Sequence, residues 1–191
     1  MYLFFDTETT GLPRNWKAPV TDLANWPRMV QLAYLLADDS GKELASGNFI
    51  IKPAGFIIPA EAARIHGITT ERAEKEGREL LGVLRGFQAA IDQAEYLIAH
   101  NISFDEKIVG AEFLRNQMPD TLPAKRRICT MNSATDYCAI PGPYGNKWPK
   151  LTELHTKLFQ TGFEEAHNAF ADVTATVKCF WELKRLGIIK L

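Results

Sequence analysis

Cysteine is scarce in this chain. Its three residues, Cys129, Cys138 and Cys179, are odd in number and lack metal-ligand spacing. That argues against a disulfide framework and a structural zinc site. The thiols read as reduced core or near-core groups of a cytosolic protein. Long apolar runs are also missing: no stretch approaches the roughly 18 residues that span a bilayer. Met1 to Phe5 is apolar, but acids follow at once and no basic region precedes it, so a signal peptide is not expected. The expected location is cytoplasmic. An excess of either charge is absent too. The formal net charge is −1, which gives no global basic signal for nucleic acid, although clustered metal-binding carboxylates would mask local basic patches in that sum. Repeats, low-complexity stretches and interdomain linkers are not found. The 191 residues fit one domain, 1–191, long enough to bury a full core without staples.

What is present begins at once. Tyr2-Leu3-Phe4-Phe5 runs straight into Asp6-Thr7-Glu8-Thr9-Thr10-Gly11. In a strand, residues two apart share a face, so Asp6 and Glu8 stand side by side. Two carboxylates held together are unfavourable unless a proton or a cation lies between them. A hard divalent ion bound through oxygen is the simplest occupant.

The rest of the chain alternates elements. Residues 2–7 form a first strand, and 12–28 a long connection rich in Pro, Asn and Trp, of the kind that is usually functional or mobile. Met29–Ala37 reads as a buried strand, Asp38-Asp39-Ser40-Gly41 as a turn and Glu43–Lys52 as an antiparallel third strand. A short helix spans Pro59–His66, closed by Gly67. Leu80, Leu84, Phe87 and Ile91 mark an amphipathic helix. Tyr96–His100 is a short strand; Ser103 and Glu106 fit a capping box opening a helix to about Gln117. A fifth strand is expected at Arg127–Thr130, a helix at Met131–Tyr137 and a loop at 141–149. Further helices are expected at Leu151–Phe159 and from an Asn168 cap to about Leu186. Three early strands followed by alternating helices and strands imply one mixed α/β sheet with helices on its faces.

Two more segments repeat the pattern of an acid near a helix start. His100-Asn101-Ile102-Ser103-Phe104-Asp105 leaves a strand and enters a helix. His167-Asn168-Ala169-Phe170-Ala171-Asp172 places an acid in the first turns and a His just outside. A helix N-terminus favours a carboxylate. Each feature alone has an ordinary explanation as a strand end, a helix-start acid or a surface His; their conjunction in one order does not.

With these segments the chain resembles the DnaQ-like (DEDDh) 3′-to-5′ exonucleases, the family of the proofreading epsilon subunit of DNA polymerase III. Ile65-His66-Gly67-Ile68-Thr69 and Lys150-Leu151-Thr152-Glu153-Leu154 are similar to its accessory segments. The resemblance spans nearly the whole chain; the 12–28 and 141–149 loops look like local elaborations. It implies a ribonuclease H-like fold: a five-stranded mixed sheet, the first three strands antiparallel and the others parallel, with the first strand central. It implies two divalent ions, Mg²⁺ or Mn²⁺. Asp6 would bridge both, Glu8 and Asp172 would complete the site of the ion carrying the attacking water, and Asp105 would hold the other. His167 would be the general base. The backbone at Thr9 and Thr10 would cradle the terminal nucleotide, with Leu12 and Ile65 against its base and His66 and Phe104 lining the same pocket. The expected partner is a nucleic acid 3′ end, single-stranded DNA first, with RNA, a polymerase partner and a homodimer left open.

Lys125-Arg126-Arg127, Lys147 and Lys150 are candidates for the phosphate backbone. A haloacid-dehalogenase-type phosphatase is the first rival, but it generally wants an Asp where Glu8 stands and leaves His167 idle. A non-catalytic nucleic-acid-binding domain is the second, and the retention of all four acids and the His argues against it.

Overall fold

In the computed structural model, residues 1–163 and 168–191 are described. The strands are β1 Tyr2–Thr9, β2 Met29–Ala37, β3 Glu43–Ile50, β4 Tyr96–Ala99 and β5 Arg126–Cys129, with a small ribbon of β6 Pro141–Gly142 and β7 Gly145–Asn146. The helices are α1 Ala60–His66, α2 Thr70–Glu76, α3 Leu80–Gln93, α4 Ile102–Arg115, α5 Thr130–Ser133, α6 Thr135–Cys138, α7 Leu151–Phe159 and α8 Ala169–Arg185. The main sheet runs β3-β2-β1-β4-β5. The β1–β2 and β2–β3 pairs are antiparallel; β1–β4 and β4–β5 are parallel. This is the expected mixed sheet, with β1 at its centre.

The alternation of β1 divides the core. Leu3 and Phe5 face one cluster with Phe87 of α3 and Val109 of α4. Tyr2 and Phe4 face the other with Val173, Phe180 and Leu183 of α8. The Phe5–Phe87 and Phe4–Phe180 ring centroids lie 5.5 and 5.2 Å apart on the two faces. Apolar residues thus fix which way β1 is turned, and Asp6 and Glu8 must follow Phe4 onto the α8 face.

Several local expectations change. Ser103 is not the cap of α4. Asn101 is, in the left-handed conformation (φ 71°) that Asn tolerates. Its carbonyl accepts from Phe104 N at 2.9 Å, so the helix starts earlier and draws Ile102 into the core. Glu106 ion-pairs with Arg127 instead of closing a capping box. Helix α2, capped by Thr69, was hidden by a polar sequence with a single buried residue, Ala73. The 131–137 helix is two short turns, α5 and α6, and the 141–149 loop holds the β6–β7 ribbon. Asn168 does cap α8, accepting from Phe170 N at 3.1 Å. Among the described residues no helix is long and apolar enough to cross a membrane, and all three cysteines are free.

Candidate active site

The parallel pairing of β1 with β4 stops at Phe4↔Ile98, and β4 ends at Ala99. Beyond that point β1 runs on without its neighbour, and its N–H groups on that edge need partners. Asp105, in the first turn of α4, supplies one. Its Oδ1 accepts from Thr7 N at 2.9 Å and from Thr7 Oγ1 at 2.7 Å. Thr7 faces away from Asp6 and Glu8 along the strand, so Asp105 arrives from the α4 side while the acid pair looks toward α8.

Asp172 completes the group from the first turn of α8. One carboxylate oxygen from each of Asp6, Glu8 and Asp172 lies within 4.8 Å of the others. Gln31, buried in β2 opposite Glu8, helps set this distance. Its Oε1 accepts from Ala169 N at 3.3 Å, tying the start of α8 to the sheet, and its Nε2 donates to Asn48 Oδ1 at 2.8 Å. His167 lies outside the described residues.

The electrostatics of this group are unfavourable by themselves. Burial, then the charges of Asp105, Asp172 and Glu8, holds the Asp6 carboxyl well above the usual range. Burial, then Asp172 and Asp105, pushes Glu8 up to about 8. Burial also drives Asp105 up, to about 7, against the two Thr7 hydrogen bonds that favour its ionised form. An all-carboxylate, all-oxygen donor set under mutual repulsion is chemically suited to hard divalent cations. The N-termini of α4 and α8 add partial positive charge near the acids they carry.

Beside the acids lies a cavity of about 550 Å³, lined by Thr9, Thr10, Leu12, Ile65, His66 and Phe104 together with Thr7, Glu8, Gly11, Pro59, Glu61 and Ala62. The six residues expected to meet a terminal nucleotide therefore share one pocket. Its floor is a tight turn: Thr9 Oγ1 donates to the Gly11 carbonyl at 2.6 Å, and Thr10 Oγ1 accepts from Arg28 N at 3.0 Å. Gly11 adopts φ 145°, and a register shift between Glu8 and Thr9 marks a bulge that re-aims the chain. His66 is buried. Its Nδ1 accepts from Ile68 N at 3.1 Å, while Nε2 makes no well-formed hydrogen bond. Burial lowers its proton affinity, and the nearby Thr9 carbonyl only partly opposes this.

Thr7, Gln31 and His100 act in this geometry without having been singled out for those tasks. The one visible signal was Gln31, a lone amide in the apolar run Met29–Ala37. His100 bridges Thr130 Oγ1 (3.0 Å) and the Pro149 carbonyl (2.9 Å), pinning the 141–149 loop. The basic run 125–127 does not join the site. Lys125 donates to the Asp92 and Ala94 carbonyls, Arg126 to Glu95 and Tyr96, and Arg127 pairs with Glu106. Arg126 and Tyr96 open their strands, so this run sits at the end of the sheet away from the acids. Lys147 is held by Glu153 at 2.7 Å.

The exonuclease family model RNase_T matches residues 3–180. An uncharacterized exonuclease, CP81, of Escherichia phage 186 is 27% identical over 92% of this chain and 84% of its own length. A PolC-type DNA polymerase III of Streptococcus agalactiae is 31% identical over 92% of this chain, which corresponds to only 10% of the polymerase. Exonuclease I of E. coli, solved with a dT13 oligonucleotide, superposes with a TM-score of 0.73 at 23% identity. That match covers 97% of this chain and 42% of exonuclease I.

Proposed function

The chain belongs to the RNase_T exonuclease family, and from that premise we propose that it hydrolyses phosphodiesters one at a time from the 3′ end of DNA, releasing nucleoside 5′-monophosphates. The observation that carries the reading is the convergence of Asp6, Glu8 and Asp172 within 4.8 Å, with Asp105 tied to the intervening Thr7 and a cavity of about 550 Å³ alongside. The chain is read as one exonuclease domain over residues 1–191. Its free thiols suit a cytoplasmic setting.

In this reading Asp6, Glu8, Asp105 and Asp172 hold two divalent cations, Mg²⁺ or Mn²⁺. When bound, the cations supply Lewis acidity at the scissile phosphate and acidify the attacking water. The protein's own groups do the rest. Asp6 would serve both cations, Glu8 and Asp172 would complete one ligand set, and Asp105 would contribute to the other. His167 takes the proton of the attacking water, a role suited to an imidazole that titrates near neutrality. Leu12, Ile65 and Phe104 offer apolar surface to the terminal base without reading its identity. A pocket that holds one nucleotide against the Thr9–Leu12 turn would favour terminal over internal cleavage. Single-stranded DNA is the first-choice substrate, in keeping with the oligonucleotide bound by exonuclease I. The likeness to PolC admits a polymerase partner; RNA and a homodimer are the further alternatives.

End-labelled single-stranded DNA, duplex DNA and RNA, incubated with Mg²⁺, Mn²⁺ or chelator, test the reading. A one-nucleotide ladder from the 3′ end is expected. Asp6→Asn should lower the rate by about 10³-fold or more, because several kcal/mol of charge stabilisation depend on that carboxylate. His167→Ala should lower it by about 10²–10⁴-fold. Internal cuts, or activity that survives chelation, would overturn it.

A further inference from the structure

The 12–28 loop carries two tryptophans with opposite fates. Trp26 is buried; its Nε1 donates to the Pro19 carbonyl at 3.0 Å, and the Lys107 ammonium lies 5.2 Å above its ring. Trp26 is therefore the residue that anchors the loop. Trp16 is 54% exposed, yet its backbone is fixed on both sides. Asn15 N donates to Asn25 Oδ1 at 2.7 Å, Asn25 Nδ2 returns a bond to the Asn15 carbonyl at 3.0 Å, and Lys17 N donates to Asn15 Oδ1 at 2.9 Å. About half of this large indole thus stays in solvent on a pinned backbone.

Its position gives it another use. The Trp16 ring centroid lies 5.7 Å from that of Phe104, tilted by 45°. Phe104 lines the cavity beside the acids. Leu12 and Ile65, at 73% and 60% exposure, stand at the same mouth, so apolar surface continues from the pocket outward to Trp16. Contiguous exposed apolar surface of this kind marks a binding site. Arg14 and Lys17, both exposed, bracket Trp16 and put positive charge beside it.

We propose that Trp16 is a second base-stacking residue, which takes the base of the nucleotide next to the 3′-terminal one. The inference rests on the exonuclease reading and names part of its substrate preference. Stacking on Trp16 takes the face of that base and needs no particular pairing edge. The site therefore favours substrates with a base next to the terminal nucleotide, without regard to sequence, as stacking on an aromatic face does.

The test compares three substrates in Mn²⁺: oligothymidylate, the same strand with an abasic residue next to the 3′ end, and the p-nitrophenyl ester of thymidine 5′-monophosphate, which has no second base. Removing one stacking partner should lower kcat/KM by about 10- to 100-fold. Trp16→Ala should lose this factor on oligothymidylate and at least several-fold less on the ester. The abasic strand should be poor for the wild type and no poorer for Trp16→Ala, and Trp16→Phe should recover most of the loss. Equal losses on oligonucleotide and ester, or no loss on either, would overturn the role of Trp16 and leave the nuclease reading intact. A wild-type protein that cleaves neither substrate would sink both.

Discussion

Glu8 exposes the electrostatic tension of the site most directly. Its carboxyl is raised from 4.5 to about 8 by burial and by the charges of Asp172 and Asp105. The folded state therefore binds the Glu8 proton more tightly than the unfolded chain does. The stability this contributes is complete below about 4.5 and is lost as pH rises through about 8. Gln at this position does not titrate. In chelator, the melting temperature of Glu8→Gln minus that of the wild type should accordingly grow from pH 5 to pH 9. In saturating Mg²⁺ above pH 8 the order should reverse, because a cation stabilises the ionised form. Calorimetry across that range checks both signs, and a gap that stays constant with pH would contradict the assignment. Thr7 acts at the same scale. Thr7→Val keeps the strand and the volume but removes the 2.7 Å bond to Asp105. A bond to a charged acceptor contributes about 1.5–3 kcal/mol, and, with Asp105 a cation ligand as proposed, loss of the partner that orients it should cost about 10–100-fold in activity or metal affinity. Denaturant unfolding and kcat/KM would show both. The acids were legible because their type and spacing point to one chemistry. Thr7 was not, since in the sequence it is only the residue between them, and its task depends on where β4 ends.

Secondary-structure elements carry the acids, and one buried ion group ties the 12–28 loop and the start of β2 to α4. Glu112 of α4 is wholly buried. It accepts from Arg28 Nε at 2.8 Å, Met29 N at 3.1 Å and Arg115 Nη1 at 2.9 Å. Arg115 Nη2 in turn donates to the Leu23 and Trp26 carbonyls at 2.6 and 2.7 Å. The end of the 12–28 loop is thereby fastened to the helix that begins with Asp105. Removing one partner of a buried ion pair strands the other, at a cost of about 3 kcal/mol. Glu112→Ala should lose about that much stability in denaturant unfolding. It should also raise amide hydrogen exchange across 12–28 well before the sheet opens; unchanged exchange there would mean that Asn15, Asn25 and Trp26 suffice. Strands with strong apolar patterning, such as Met29–Ala37, were readable to the residue. The order of the 12–28 loop was not, because it is set by a carboxylate 84 positions further along the chain. The start of α4 was misplaced for a related reason: a left-handed Asn101 outweighs the more familiar Ser cap once Ile102 has a core to enter.

At the scale of the molecule, β1 links everything. It pairs with β2 and β4, and its two faces belong to different core clusters. Neither cluster can form without it, so the two layers should not melt separately. The site inherits this dependence: Asp6 and Glu8 come from β1, Asp105 from the helix on one side and Asp172 from the helix on the other. Apolar alternation in Tyr2–Phe5 therefore decides both the stacking of the layers and the direction of the acids, which is why one short segment of sequence foretold the central strand and the shared face of Asp6 and Glu8 together. The expected outcome is a single cooperative transition in the described architecture. At about 0.7 kcal/mol per residue, 191 residues give an unfolding enthalpy near 130 kcal/mol, with calorimetric and van't Hoff values equal. Mg²⁺ or Mn²⁺ should shift that one transition upward as a whole, by an amount that grows with the logarithm of free cation. Two resolved transitions, only one of them cation-sensitive, would show that the helix bearing Asp172 folds independently of the strand that it must meet.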